Sequence, residues 1–230
     1  MKLKLNARFL TLCLSFFGFI IQVKAQVAVV DGPSDGSSAP PANTSAVSQV
    51  IASGSKISLK IGTTTATADM NYQWYKLDNS GTKRLVQEGS NSAYLETSTG
   101  AGYYIYQLVI GNSNQCSSDI SDPFKVYVLP ALTPTIAASS GTICANGTST
   151  STLTTNPGDS KYTYLFQWAQ NGNDISGATS STYTTPTGVS GNNTYKVKVS
   201  YALNSSIMVA VNQVINIIPV PTKPAILIGQ

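Results

Sequence analysis

The chain has 230 residues, enough for one large or two small domains, and only 10% of them are charged. Its formal charge of +4 comes from Lys2, Lys4, Arg8 and Lys24; from residue 26 onward ten basic and ten acidic side chains cancel. With no lysine- or arginine-rich run, nucleic acid is excluded as an expected partner, and the absence of histidine removes Ser-His and Cys-His nucleophiles and most zinc sites.

Residues 1–25 read as a secretory signal peptide. Lys2, Lys4 and Arg8 form a positive n-region, and Phe9 to Ile21 an apolar run too short to span a bilayer comfortably. Val23-Lys24-Ala25 places a small residue before the cut and leaves Gln26 at the mature N-terminus. A membrane anchor and a lipidated Cys13 are the weaker alternatives, since bulky Leu12 precedes Cys13 and the apolar run continues past it. The protein is therefore expected to be secreted or held at the cell surface, with no transmembrane segment after signal removal. Residues 26–45 carry Gly32-Pro33-Ser34-Asp35-Gly36-Ser37-Ser38-Ala39-Pro40-Pro41, a composition expected of a flexible spacer. Val27 to Val30 has the character of an edge strand, but a spacer is the expected state.

From 46 to 130 short strand-like runs take over. Lys56 to Ile61 alternates apolar and polar residues, and Tyr72-Gln73-Trp74-Tyr75-Lys76, Leu85-Val86 and Tyr94-Leu95 follow. Tyr104 to Ile110 and Phe124 to Val128 close the series, with Asn-Ser-Gly, Gly-Ser-Asn and Gly-Ala-Gly turns between the runs. Residues 131–219 repeat the plan. Tyr164-Leu165-Phe166-Gln167-Trp168 echoes the first Gln-Trp, Asn171-Gly172 is its turn, and Tyr195-Lys196-Val197-Lys198-Val199 echoes the Tyr104 run. Trp74 and Trp168 stand 94 positions apart, Tyr104 and Tyr195 stand 91 apart, and these are the chain's two tryptophans. Residues 220–230 form a linker. Pro219-Val220-Pro221-Thr222-Lys223-Pro224-Ala225-Ile226 has the form of Pro130-Ala131-Leu132-Thr133-Pro134-Thr135-Ile136 and reads as the first strand of an incomplete third domain, or as a strand that pairs with something else. The expected fold is all-β, two tandem sandwiches after a signal peptide and spacer.

These residues resemble the immunoglobulin-like plan, with a buried Trp on the third strand and a tyrosine corner on the sixth. Trp74, Tyr104, Trp168 and Tyr195 are the structural core that the resemblance implies, with Tyr104 and Tyr195 as the corner tyrosines. Tyr106 and Val197 would take the usual cysteine position, opposite Leu59 and Leu153, so packing must replace the inter-sheet disulfide. A buried Trp contributes about 4–6 kcal/mol, comparable to the ~2–4 kcal/mol of a disulfide. More specifically, Phe166-Gln167-Trp168, Asn171-Gly172, Ile175-Ser176-Gly177-Ala178-Thr179, Tyr183-Thr184 and the Tyr195 run are similar to Ig-like repeats of Bacteroidota secreted and cell-surface proteins. That resemblance implies adhesion, surface structure or protein–protein interaction and names no ligand.

Beyond the signal, Cys116 and Cys144 remain. Their loops are expected at opposite ends of a two-domain rod, which favours free or otherwise paired thiols over a mutual bridge. No catalytic, cofactor or metal residue is expected; Asp119 and Asp122 share a loop, but two carboxylates are weak evidence for Ca²⁺ against a solvated turn. A binding face is the sharper expectation. If Trp74, Tyr104 and Val126 point inward, the period of two turns Tyr75, Tyr103, Ile105 and Tyr127 outward as an apolar patch. Its partner would be a protein or a glycan, tyrosine being suited to both. The expected roles are thus a non-catalytic interaction or adhesion protein, alternatively a carbohydrate binder using that tyrosine face, or a fragment of a longer multi-repeat adhesin.

Overall fold

The computed structural model describes residues 29–62, 69–112 and 118–226. The segment read as a signal peptide, Val27, Cys116 and the tail beyond Ile226 lie outside the described residues. Alternating side chains and glycine turns produce strands throughout. The first unit contains β1 (Val29–Asp31), β2 (Gln49–Ala52), β3 (Lys56–Leu59), β4 (Met70–Leu77), β5 (Lys83–Gly89), β6 (Tyr94–Ser98), β7 (Gly102–Asn112), β8 (Ser118–Ile120) and β9 (Phe124–Leu129). The second contains β10 (Thr135–Ala138), β11 (Thr142–Cys144), β12 (Thr152–Asn156), β13 (Tyr164–Gln170), β14 (Asn173–Asp174), β15 (Thr182–Thr184), β16 (Gly191–Tyr201) and β17 (Asn204–Ile218).

Each unit is a two-layer β-sandwich. In the second, β10-β12-β15 faces β11-β17-β16-β13-β14; in the first, β1-β6-β3 faces β2-β9-β7-β4-β5, with β8 also on β7. Much of the pairing order recurs between the units: β3 matches β12, β4 matches β13, β6 matches β15 and β7 matches β16. In both, an early strand (β2 or β11) runs parallel to the last one. The chain is therefore all-β, two tandem sandwiches.

Pairing register fixes which residues are equivalent. Lys76 lies opposite Tyr106 and Gln170 opposite Tyr195, each two positions after its tryptophan. Tyr195 is thus the counterpart of Tyr106, and both carry a ring against the tyrosine that packs on the tryptophan: Tyr94–Tyr106 centroids are 5.7 Å apart and Tyr183–Tyr195 5.8 Å. This corrects the expected equivalence of Tyr195 with Tyr104. The corner position of the second unit belongs to Asn193. Tyr104 donates its hydroxyl to Gly100 O (3.1 Å), four residues back; Asn193 Nδ2 donates to Val189 O (3.0 Å), also four residues back. Trp74, Tyr104, Trp168 and Tyr195 are all buried.

Residues 29–45, the described part of the expected 26–45 spacer, do not behave as a spacer. β1 adds in parallel to the outer edge of β6, and beyond the end of β4 the chain takes over pairing with Tyr103, Asp35 and Tyr103 exchanging amide–carbonyl bonds of 2.7 and 3.1 Å. The small residues permit this close approach: a Cβ on Gly102, which sits at φ +137°, would lie 2.4 Å from Asp35 O. Glycine composition here marks backbone contact rather than looseness.

The two sandwiches also share a core. Val126 and Val128 point into the first sandwich, while their strand neighbours Tyr127 and Leu129 pack with Val47, Val50, Leu132, Tyr162 and Tyr201. Tyr201 donates to Pro130 O (3.1 Å), Asn204 Nδ2 to Val50 O (2.9 Å), and the Tyr127 and Tyr162 hydroxyls meet at 3.3 Å.

Candidate functional site

The structure places the four residues of the expected binding face in different surroundings. The period of two holds along β9, so Tyr127 does point away from Val126. The second sandwich covers it, however, leaving 1% of its surface accessible, and it cannot belong to an open patch. Tyr103 lies edge-on to Tyr127 (4.8 Å between centroids) and donates its hydroxyl to Ala39 O at 3.1 Å, under the N-terminal segment. Ile105 is half-buried; its amide donates to Ser34 Oγ at 3.0 Å. Tyr75, also half-buried, bonds Gln73 Oε1 (3.1 Å) and lies opposite Gln107, four residues along β7 from Tyr103 or roughly 13 Å away. Tyr103 and Tyr127 are brought together; Tyr75 is not part of their cluster.

Inside the first sandwich sits a charged cluster that the sequence reading missed. Lys76 follows Trp74 by two positions and Glu96 follows Tyr94 by two, so both inherit the inward parity of their aromatic neighbours. Lys76 Nζ donates to Glu96 Oε1 (2.6 Å), to Gly32 O and to Asp31 (3.3 Å), and stands 4.5 Å from the Tyr104 ring centroid. Tyr94 and Tyr106 both donate to Glu96 Oε2 at 2.9 Å, and Arg84 pairs with Asp31. Burial, together with the Glu96 charge, pushes both phenols well above the ordinary tyrosine range. A buried ion pair is sustained only when its remaining donors and acceptors are satisfied, and here they are. The cluster's output is mechanical: it ties β1 to β4 and β6. Gln170 and Thr185 take the matching positions in the second unit, so that core carries no charge.

The open feature of the first sandwich lies at the pole away from the second. β10 lines the outer edge of β12 in the second unit, pairing Ala138, Ala137, Ile136 and Thr135 with Leu153, Thr154, Thr155 and Asn156. Leu59 opposite Tyr94 and Leu153 opposite Tyr183 fix the matching positions of the first unit as Leu59, Lys60, Ile61 and Gly62. Among the described residues, β3 pairs with β6 alone. The segment that would supply a first strand instead makes a 3-10 turn at Thr44–Ala46, capped by the Asn43 side chain, which accepts from Ser45 N (3.0 Å). A cavity of about 590 Å³ lies along the vacant position, lined by all four of those residues and by Trp74, Tyr106, Leu108, Ile110, Ile120 and Phe124. Asp119, Ser121 and Asp122 supply polar lining. The Trp74 indole N–H is buried without a partner among the described residues. An apolar trough beside an unpaired strand edge can take an extended chain, main-chain bonds going to the edge and alternate side chains into the trough.

Among the described residues no three His, Cys, Asp or Glu side chains converge. Cys144 is a free thiol at the surface, and among the described residues no helix is long and apolar enough to cross a membrane. No sequence signal identified the trough, because it arises from comparing two strand orders that only folding creates.

Among solved structures, the chain is similar to fibronectin(III)-like modules of Clostridium thermocellum CbhA, at 16% identity and TM-score 0.44 over 75% of this chain and 90% of that one. It is similar to the amphioxus IgVJ-C2 molecule, at 13% identity and TM-score 0.41 over 73% of this chain and 99% of that one. The N-terminal four Ig domains of Dscam1 isoform 6.9 match at 13% identity and TM-score 0.36, over 74% of this chain and 42% of theirs. At such identities and scores nothing about those proteins' partners transfers to this chain. No protein-family model and no curated protein matches it.

Proposed function

We propose that this chain is a non-catalytic, exported interaction protein that binds an extended polypeptide segment along the vacant edge of its first sandwich. The observation that carries this reading is the trough beside residues 59–62, where the second sandwich has a strand and the described residues of the first supply none. The segment read as a signal peptide supports an extracellular or cell-surface setting, and neutral charge beyond it suits a protein partner over nucleic acid. The second sandwich, its corresponding edge occupied by β10, acts as a support fixed to the first through the Tyr127–Tyr162 contact.

The test is a library of extended peptides with alternating apolar residues, screened against the full chain by fluorescence of Trp74, which lines the trough. Ile120, half exposed on β8, offers a substitution that does not disturb the core. Binders are expected to lose affinity about tenfold or more against Ile120→Asp. Binders indifferent to Ile120→Asp, or a library without binders, would overturn the reading.

A further inference from the structure

We infer that the occupant of the trough is residues 224–230 of a second copy of this chain, added beside β3 as the strand that the described residues of the first sandwich do not supply. This rests on the reading that the trough accepts an extended segment. The second sandwich supplies the pattern of the donor. Pro134 ends the linker, and β10 then points Ile136 and Ala138 inward against the core while Thr135 and Ala137 stay outside. The tail reads Pro224-Ala225-Ile226-Leu227-Ile228, so Ile226 falls at the place of Ile136 and Ile228 at that of Ala138. Proline immediately before the strand is tolerated in both, since it lies outside the ladder.

Residues 219–226 join no strand among the described residues. Ile226 is 97% exposed and Val220 is 51% exposed, a cost that burial in a trough would remove. Register places Ile226 opposite Ile61 and Ile228 opposite Leu59, both trough-lining residues.

Reach decides between the same copy and another. β17 starts at the junction with the first sandwich, where Asn204 bonds Val50 O, and ends at Ile218 at the far pole. At about 3.3 Å per residue, β17 alone carries the tail roughly 50 Å from that junction, and the trough lies at the opposite pole of the first sandwich. Residues 219–230 extend at most ~43 Å. A chain cannot fill its own trough. Each copy then offers a donor at one pole and an acceptor at the other, a head-to-tail contact that propagates into a linear array unless it closes.

The test uses the full chain in two variants, one with Ile226→Asp and Ile228→Asp, one with Ile61→Asp and Ile120→Asp, both checked for native circular dichroism. Sedimentation of the unsubstituted chain is expected to show mass rising with concentration beyond a dimer. Each variant alone should stay monomeric, and a mixture of the two should stop at a one-to-one dimer, because only one donor and one acceptor remain. A peptide of residues 219–230 should bind the tail variant and perturb Trp74. Should the Ile61→Asp and Ile120→Asp chain fail to fold, the peptide titration still decides. Association that persists in the tail variant, or a peptide that leaves Trp74 unchanged, would overturn the inference. If other extended peptides still bind the trough while this one does not, the tail is the wrong occupant and the broader reading survives.

Discussion

Tyr106 and Tyr195 occupy one position in two copies of the same core and meet opposite electrostatic circumstances. Tyr106 gives its hydroxyl to the buried Glu96 carboxylate at 2.9 Å, whereas Tyr195 is fully buried with a hydroxyl that has no partner among the described residues. The difference follows from one substitution between units: Thr185 stands where the first has Glu96. Removing an oxygen that serves a buried carboxylate costs about 1–3 kcal/mol, whereas removing an unsatisfied one costs little. Tyr106→Phe is therefore expected to lower stability by about that amount, and Tyr195→Phe to leave it unchanged or raise it. Denaturant midpoints with equal slopes would check this, and equal losses in both variants would contradict it. The same residues show where sequence reading slipped. Tyr104-x-Tyr106 in one unit and Tyr195-x-Val197 in the other invite alignment of the first tyrosines, yet the strand register aligns the second of one with the only one of the other. Asn193, which does the corner's work by another chemistry, carries no signal in a search for tyrosine.

The N-terminal segment is the element whose character changed most on folding. Its glycines, serines and prolines read as a spacer because they cannot form a core of their own. They form part of one because they let backbone approach backbone at β7. Asp35 is the fastener: Ser38 Oγ, Ser37 N (2.8 Å) and Ser37 Oγ (2.8 Å) all donate to its carboxylate. Led by the Ser38 hydroxyl, these donors hold its pKa down at about 2, against an ordinary value of 3.8. Because the folded value is the lower one, this anchorage is fully present above pH 3.8 and is lost as pH falls toward 2. Amide resonances of Ser37, Ser38 and Tyr103 should shift together across that window, and Asp35→Asn should abolish the transition; a transition that survives the substitution would assign it elsewhere. Gly102→Ala should act at neutral pH. It puts a methyl 2.4 Å from Asp35 O at a backbone angle of +137°, so residues 29–47 should become sensitive to limited proteolysis while the second sandwich stays resistant. Equal resistance in the variant would show that the segment does not need that contact.

At the scale of the whole molecule, one strand serves two cores. β9 sends Val126 and Val128 into its own sandwich and Tyr127 and Leu129 into the shared one. The Tyr162 ring packs edge-on against Tyr201 at 5.3 Å and its hydroxyl meets Tyr127. Truncating a buried aromatic at such a junction costs about 3–5 kcal/mol. Tyr162→Ala should therefore uncouple the sandwiches, turning a single calorimetric transition into two. A single transition in the variant would mean that the junction does not couple them. The fixed junction is also what keeps the tail and the trough at opposite poles.

The sequence by itself determined the central strands of each unit, the two-fold repetition and the buried tryptophans, because a period of two and a spaced aromatic are local signals that survive any arrangement of neighbours. It even fixed the facing of Tyr127, since the alternation along β9 is a property of the strand alone. What covers an outward face is not local. Only the tertiary structure put the second sandwich over Tyr127, drew Lys76 and Glu96 from separate strands into one buried pair, and clasped residues 29–47 to the first sheet. Only there, too, does a strand position filled in one unit stand open among the described residues of the other, because a missing neighbour is a relation between distant segments and leaves no mark on the residues beside it.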